Sequence, residues 1–86
     1  MSNELLMLRE EISEIDTKIL WLLTRRMILA TSIAEYKHIH GLPIFDPVRE
    51  NELLLKYAER VDFDIGPIFQ SIMNESKRLQ QLHLQK

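Results

Sequence analysis

The sequence predicts an all-α fold: three helices, one of them very long, entwined with a second copy of the chain in a homodimeric helical bundle. Three observations predict it. Apolar residues recur at steps of three and four from Leu5 to Ile33, the rhythm of a packed helix seam. Two glycines and three prolines cut the 86 residues into three segments. No stretch alternates apolar and polar residues in the manner of a half-buried strand.

The first helix is read from about Glu4 to His38, with Ser2 or Asn3 as its N-cap and Gly41-Leu42-Pro43 as its end. Its seam runs Leu5, Leu8, Ile12, Ile15, Ile19, Leu22, Arg26, Leu29, Ile33. About 35 residues make a rod of roughly 50 Å. A compact globule of this size has a radius of gyration of only about 12 Å. No glycine or proline falls between Glu4 and His40 to break the rod. Two shorter helices cannot cover it, so its seam calls for a second copy of the chain. Asp46-Pro47 restarts the helix: the aspartate caps, and proline fits the first turn, where no N–H is needed. The second helix is read from Pro47 to about Arg60. Val61-Asp62-Phe63-Asp64 is a connector, and Asp64 is the expected cap of the third helix. That helix carries Ile65, Ile68, Phe69, Ile72, Met73, Leu79 and Leu82 and ends near Leu84. Residues 1–86 are read as a single domain.

Composition narrows the function classes. The chain is 45% hydrophobic and 28% charged, which fits neither a disordered nor a membrane-spanning chain. Eleven Lys and Arg stand against 13 Asp and Glu, interleaved as in Arg9-Glu10-Glu11, which speaks against nucleic-acid binding. There is no cysteine, and Met1-Ser2-Asn3-Glu4 lacks the basic start and apolar stretch of a signal peptide, so the expected compartment is the cytoplasm.

The informative residues are polar ones in apolar places. Arg26 occupies a seam slot, and a guanidinium there needs an anionic partner. Lys37 follows 11 residues later, within roughly 20° of the same face and about 16 Å further along. Two cations on one stripe suggest a pocket for a small, multiply charged anion. Ser76 continues the seam rhythm of the third helix and Gln80 follows at i+4. Either the two line a polar pocket, or Ser76 bonds to its own helix and Gln80 lies at the rim. Arg9 lies about 25 Å from Arg26 along the helix and roughly 100° around it. An antiparallel partner could bring its Arg9 to this chain's Arg26; the alternative is a surface arginine paired with Ser13 or Glu14. Asp46 reads as a cap, and Arg49 and Glu50 as a solvated face or part of a site.

Other chemistries find no support. His38 and His40 point apart on a helix, and His83 falls near a fraying end. No metal site, phosphate loop or nucleophile motif is present, and Trp21 reads as packing. Cations, an amide and a hydroxyl, with no nucleophile and no metal, suit chemistry by positioning and electrostatics.

The chain resembles the all-helical class of chorismate mutases over nearly its whole length. The residues that carry the resemblance are Leu8-Arg9-Glu10-x-Ile12-x-x-Ile15-Asp16, Leu22-Leu23-x-x-Arg26, Ala34-x-x-Lys37, Pro43-x-x-Asp46-Pro47-x-Arg49-Glu50 and Glu75-Ser76-x-x-x-Gln80. The resemblance implies an entwined helical dimer that converts chorismate to prephenate, the branch step toward phenylalanine and tyrosine. It implies that Arg26 and the partner's Arg9 hold the two carboxylates, and that Lys37 and Gln80 donate to the breaking ether oxygen. Glu50 would accept from the ring hydroxyl with the Asp46 backbone assisting, and Arg49 and Ser76 would complete the polar lining. Asp16 would support the architecture. The stretch from Glu50 to Ser76 is shorter than in many relatives by roughly one or two helical turns, which touches the lid of the site. An 86-residue chain also leaves no room for an amino-acid-sensing domain.

Two rivals stand beside this reading. One is an isochorismate pyruvate lyase of the same fold, against which Glu50 speaks because it suits a hydroxyl at the mutase substrate's ring position. The other is a non-catalytic helical dimerisation or regulatory module. A pure scaffold would gain stability by replacing its buried charges with apolar residues.

Overall fold

A computed structural model describes residues 3–85. It holds three helices and, among the described residues, no strand: α1 (Asn3–Ile39), α2 (Pro47–Ala58) and α3 (Gly66–Leu84). Of the two expected caps of the first helix, Ser2 lies outside the described residues, and Asn3 is already inside α1.

The 37 residues of α1 run unbroken and set the shape of the chain. Its longest extent is 58 Å and its radius of gyration 16.8 Å, well above the ~12 Å of a compact chain of this length. Gly41 ends the helix for a stereochemical reason. Its φ is +67°, a left-handed conformation that side-chain-bearing residues seldom adopt. In that conformation Leu42 N–H reaches back to Lys37 O (2.7 Å) and Gly41 N–H to His38 O (3.3 Å). This is the Schellman closure, which satisfies carbonyls that a bare helix end leaves orphaned.

The second helix starts as expected. Asp46 accepts from Arg49 N–H at 3.1 Å, with Pro47 in the first turn. It ends at Ala58, two residues before the expected Arg60, where Arg60 N–H turns back to Tyr57 O. The third helix corrects an expectation. Asp64 is not its cap: Ile65 takes that position, with right-handed helical φ and ψ and no side-chain hydrogen bond. The turn has already begun at Ile65, whose carbonyl accepts from Phe69 N–H at 2.9 Å. Asp64 thus sits one residue too early to reach the orphan amides.

α3 packs on α1 and on α2, while α1 and α2 bring no Cα atoms within 8 Å of each other. The α1–α3 contact uses small residues: Ala30 and Ala34 are the buried residues of α1, Ala34 completely, and Met73, Ser76 and Gln80 those of α3. His83 is not frayed; its Nε2 lies 2.6 Å from Glu35 Oε1 and ties the end of α3 to α1. On the α2 side, Tyr57 and Phe69 meet with ring centroids 4.6 Å apart. A larger side chain at the α1–α3 crossing must force the helices apart. Ala34→Leu is therefore expected to lose about 1–3 kcal/mol and to lower the thermal midpoint followed by circular dichroism. An unchanged midpoint would mean that the helices do not meet at Ala34.

Among the described residues nothing covers the seam of α1. Leu5, Leu8, Ile12, Ile15, Ile19, Leu22, Leu29 and Ile33 are 40–58% exposed. Trp21 is exposed too, with the Arg25 guanidinium 5.5 Å above its ring.

Candidate active site

One cleft of about 430 Å³ collects seven of the eight residues singled out from the sequence: Arg26, Lys37, Asp46, Arg49, Glu50, Ser76 and Gln80. Its walls come from the second half of α1, the 40–46 loop with the first turn of α2, and the middle of α3. Apolar side chains of Leu29, Ile33, Ile44, Leu53 and Met73 fill the gaps between the polar groups. Arg9 is not among them; it stands exposed near the other end of α1.

Each position follows from local structure. Arg26 and Lys37 share a face because three turns of unbroken helix separate them. The Lys37 ammonium donates to the Ile44 carbonyl at 3.1 Å, so it draws the loop across the end of α1. Arg49 and Glu50 enter the cleft through the Asp46 cap, whose carbonyl also accepts from Glu50 N–H at 3.0 Å. Ser76 and Gln80 are both only 7% exposed, and Gln80 Nε2 lies 3.1 Å from Ser76 Oγ. They line the pocket rather than its rim. In this orientation the buried Gln80 Oε1 has no hydrogen-bond partner. With the amide turned over, Ser76 Oγ donates to Oε1 instead, and both Nε2 hydrogens become free to donate.

The electrostatics are lopsided. None of the ion pairs among the described residues uses Arg26, Lys37 or Arg49. Glu50 is paired, but by a residue the sequence did not single out: Lys77 Nζ lies 3.1 Å from both Oε1 and Oε2. The same ammonium sits 4.3 Å over the Phe45 ring. A signal for Lys77 existed in its place beside Ser76 and three residues before Gln80, but an α3 lysine reads first as solvated. The Ile44 carbonyl was equally hidden, because a backbone partner leaves no mark in residue types. Glu75 turns away from the cleft to Arg78, with contacts of 2.6 and 2.7 Å. Hydrogen bonding to that guanidinium holds the exposed Glu75 carboxyl below its usual range and raises Arg78 in turn. Of the histidines, His40 stacks on Tyr36 with centroids 4.0 Å apart, away from its neighbour His38.

Surplus cations around a buried amide–hydroxyl pair give this cleft the chemistry that suits a small polyanion. Comparison with known proteins makes the class specific. Residues 8–81 match the family model of chorismate mutase type II, a span that takes in Arg9 and every polar residue of the cleft. A chorismate mutase of Methanocaldococcus jannaschii is 39% identical, aligned over all of this chain and 93% of that protein. A bifunctional chorismate mutase/prephenate dehydratase of Enterobacter agglomerans is 40% identical over 98% of this chain, which spans 23% of that longer protein. Among solved structures, a conserved hypothetical protein from Pyrococcus furiosus superposes with a TM-score of 0.83. It is 38% identical, with 93% of this chain and 99% of that one covered. The chain belongs to the chorismate mutase type II family, and the activity it carries is that of an isomerase.

Proposed function

We propose that the cleft binds chorismate and converts it to prephenate, and that each active site is completed by Arg9 of a second copy of the chain. The observation that carries this reading is the convergence in one cleft of three cations that make no ion pair among the described residues with the buried Ser76–Gln80 pair. Chorismate is a dicarboxylate. Arg26 and Arg49 offer the planar forks that suit carboxylates, and Lys37 a mobile point charge.

The rearrangement is intramolecular: one C–O bond breaks as one C–C bond forms, and no proton or nucleophile enters. Catalysis then consists of holding the compact, chair-like conformer and stabilising negative charge growing on the ether oxygen. Lys37 has one hydrogen committed to Ile44 and two left to donate. Gln80 supplies an amide donor from α3, fixed by burial and by Ser76. Donors aimed at developing charge are typically worth about 3–4 kcal/mol each. Glu50 has acceptor capacity left for the ring hydroxyl. The Glu50 carboxylate favours this substrate over isochorismate, whose hydroxyl stands elsewhere on the ring. Aromatic amino-acid biosynthesis is the setting of this reaction, and the cytoplasm is the compartment we assign to it.

Dimerisation is supported by the exposed seam of α1 and by the place of Arg9. An apolar row some 40 Å long is a heavy liability for an isolated chain. Antiparallel pairing of two such helices would cover it and carry the partner's Arg9 toward Arg26. The test is complementation. Arg9→Ala and Arg26→Ala proteins, each nearly inactive alone, are mixed and allowed to exchange subunits. In the heterodimer one site carries both defects and the other neither, so activity should return. No recovery after verified exchange would sink the shared site. Assaying the wild-type protein with chorismate and with isochorismate, each followed by loss of substrate, separates the mutase from the lyase.

A further inference from the structure

We infer that Lys77 is a positioning residue of this cleft: it neutralises and orients Glu50 so that a dianion can bind beside a carboxylate. The inference rests on the reading of the cleft as the substrate site.

Glu50 presents a difficulty. A carboxylate in the wall of a pocket for a dicarboxylate repels its own ligand, and it competes with that ligand for the pocket's cations. The groups around it are Arg26 and Lys37 from α1, Asp46 and Arg49 from the start of α2, and Lys77 from α3. Of these, Lys77 is the one that Glu50 pairs with, through both oxygens at 3.1 Å. The two side chains are 22% and 16% exposed, so water screens the pair only in part. Each carboxylate oxygen gives one acceptor site to the ammonium and keeps another for a hydroxyl.

Lys77 is itself held. Its ammonium lies against the Phe45 ring at 4.3 Å, a cation–π contact from the loop that Lys37 anchors through Ile44. Three segments therefore meet at one charge: the 40–46 loop, the first turn of α2 and the middle of α3. Without Lys77, Glu50 is free to swing onto Arg49 and withhold that guanidinium from the substrate's carboxylates. The damage falls on substrate capture, because Lys77 faces Glu50 and not the breaking bond.

The experiment is a double-mutant cycle on the full chain, with steady-state kinetics on chorismate for Lys77→Met, Lys77→Arg, Glu50→Gln and the combination of Lys77→Met with Glu50→Gln. Lys77→Met should raise KM about tenfold and leave kcat within about threefold, while Lys77→Arg stays near wild type. On the Glu50→Gln background, Lys77→Met should change KM by less than about twofold, since the charge it compensates is gone. A wild-type KM in Lys77→Met overturns the inference. So does an equal rise on both backgrounds, which would mean that Lys77 acts without Glu50. If Lys77→Met fails to fold, Phe45→Leu removes only the ring beneath the ammonium and enters the same cycle: a KM rise that vanishes with Glu50→Gln supports the inference, and its absence or persistence overturns it. Arg26→Ala and Lys37→Ala are measured alongside. Full activity in those two would mean that the cleft is not the site, and both readings fall. Loss there with unaffected Lys77 variants removes this inference alone.

Discussion

Replacing Lys37 with alanine is expected to lower kcat at least ~10²-fold, with a smaller change in KM. The side chain lines the cleft and is held there by one hydrogen bond to the Ile44 carbonyl. In the proposed mechanism its remaining hydrogens donate to the ether oxygen as that atom gathers charge, so what it stabilises exists in the transition state more than in the bound substrate. Structure should survive the change. The closure of α1 runs through the Lys37 backbone carbonyl, which alanine keeps. Helix content by circular dichroism and sedimentation behaviour should therefore match wild type. A mutant with unchanged kcat and a raised KM would reduce Lys37 to a substrate anchor.

The second large effect is expected at Gln80. An amide does not titrate near neutrality, so the wild-type rate should show no loss between about pH 5 and 8 that traces to this position. Gln80→Glu keeps the size and changes the protons. If Gln80 faces the breaking bond as proposed, the introduced carboxyl, when protonated, can take over its donation to the ether oxygen. Ionised, it sets a negative charge against an oxygen that is itself becoming negative. The site is buried, and the substrate is a dianion; both push the introduced group above the ordinary carboxyl value of ~4.3. Arg26 and Lys37 across the cleft and the Ser76 hydroxyl oppose that shift. The neutral form is the active one and lies on the acid side, so kcat should be high in acid and fall as pH rises through the elevated pKa. Steady-state kinetics from about pH 4.5 to 8.5 read this directly. A flat profile would place Gln80 away from the breaking bond.

Most of the helical framework was legible because its signals are local. The three-four rhythm, Gly41 and Asp46-Pro47 give α1 and the start of α2 within a residue or two. The start of α3 was less legible: Asp64 has the chemistry of a cap, but the chain turns helical one residue later, and no residue type announces that. The cleft was legible where a polar residue breaks an apolar rhythm. Arg26 and Ser76 each occupy a slot where leucine is expected, and Lys37 and Gln80 follow at helical spacing. Lys77 was hidden because it breaks no rhythm; only the fold brings α3 against the start of α2. The intramolecular core was hidden for the opposite reason. The sequence stresses the leucine and isoleucine seam, yet α3 packs on Ala30 and Ala34, whose small size permits close approach and draws little notice.

The unbroken run of α1 also dictates where this chain tolerates a change of length. Between Arg26 and Lys37 the unit of measure is the helical turn. One inserted residue would swing one cation about 100° from the other and carry it ~1.5 Å away, and even a near-full turn would displace it by more than 5 Å. The stretch between α2 and α3 obeys no such ruler. Residues 59–65 need only deliver α3 to its place, and they can be trimmed without altering the angle between any two groups on α1. Length variation should therefore collect in that connector and stay out of the rod.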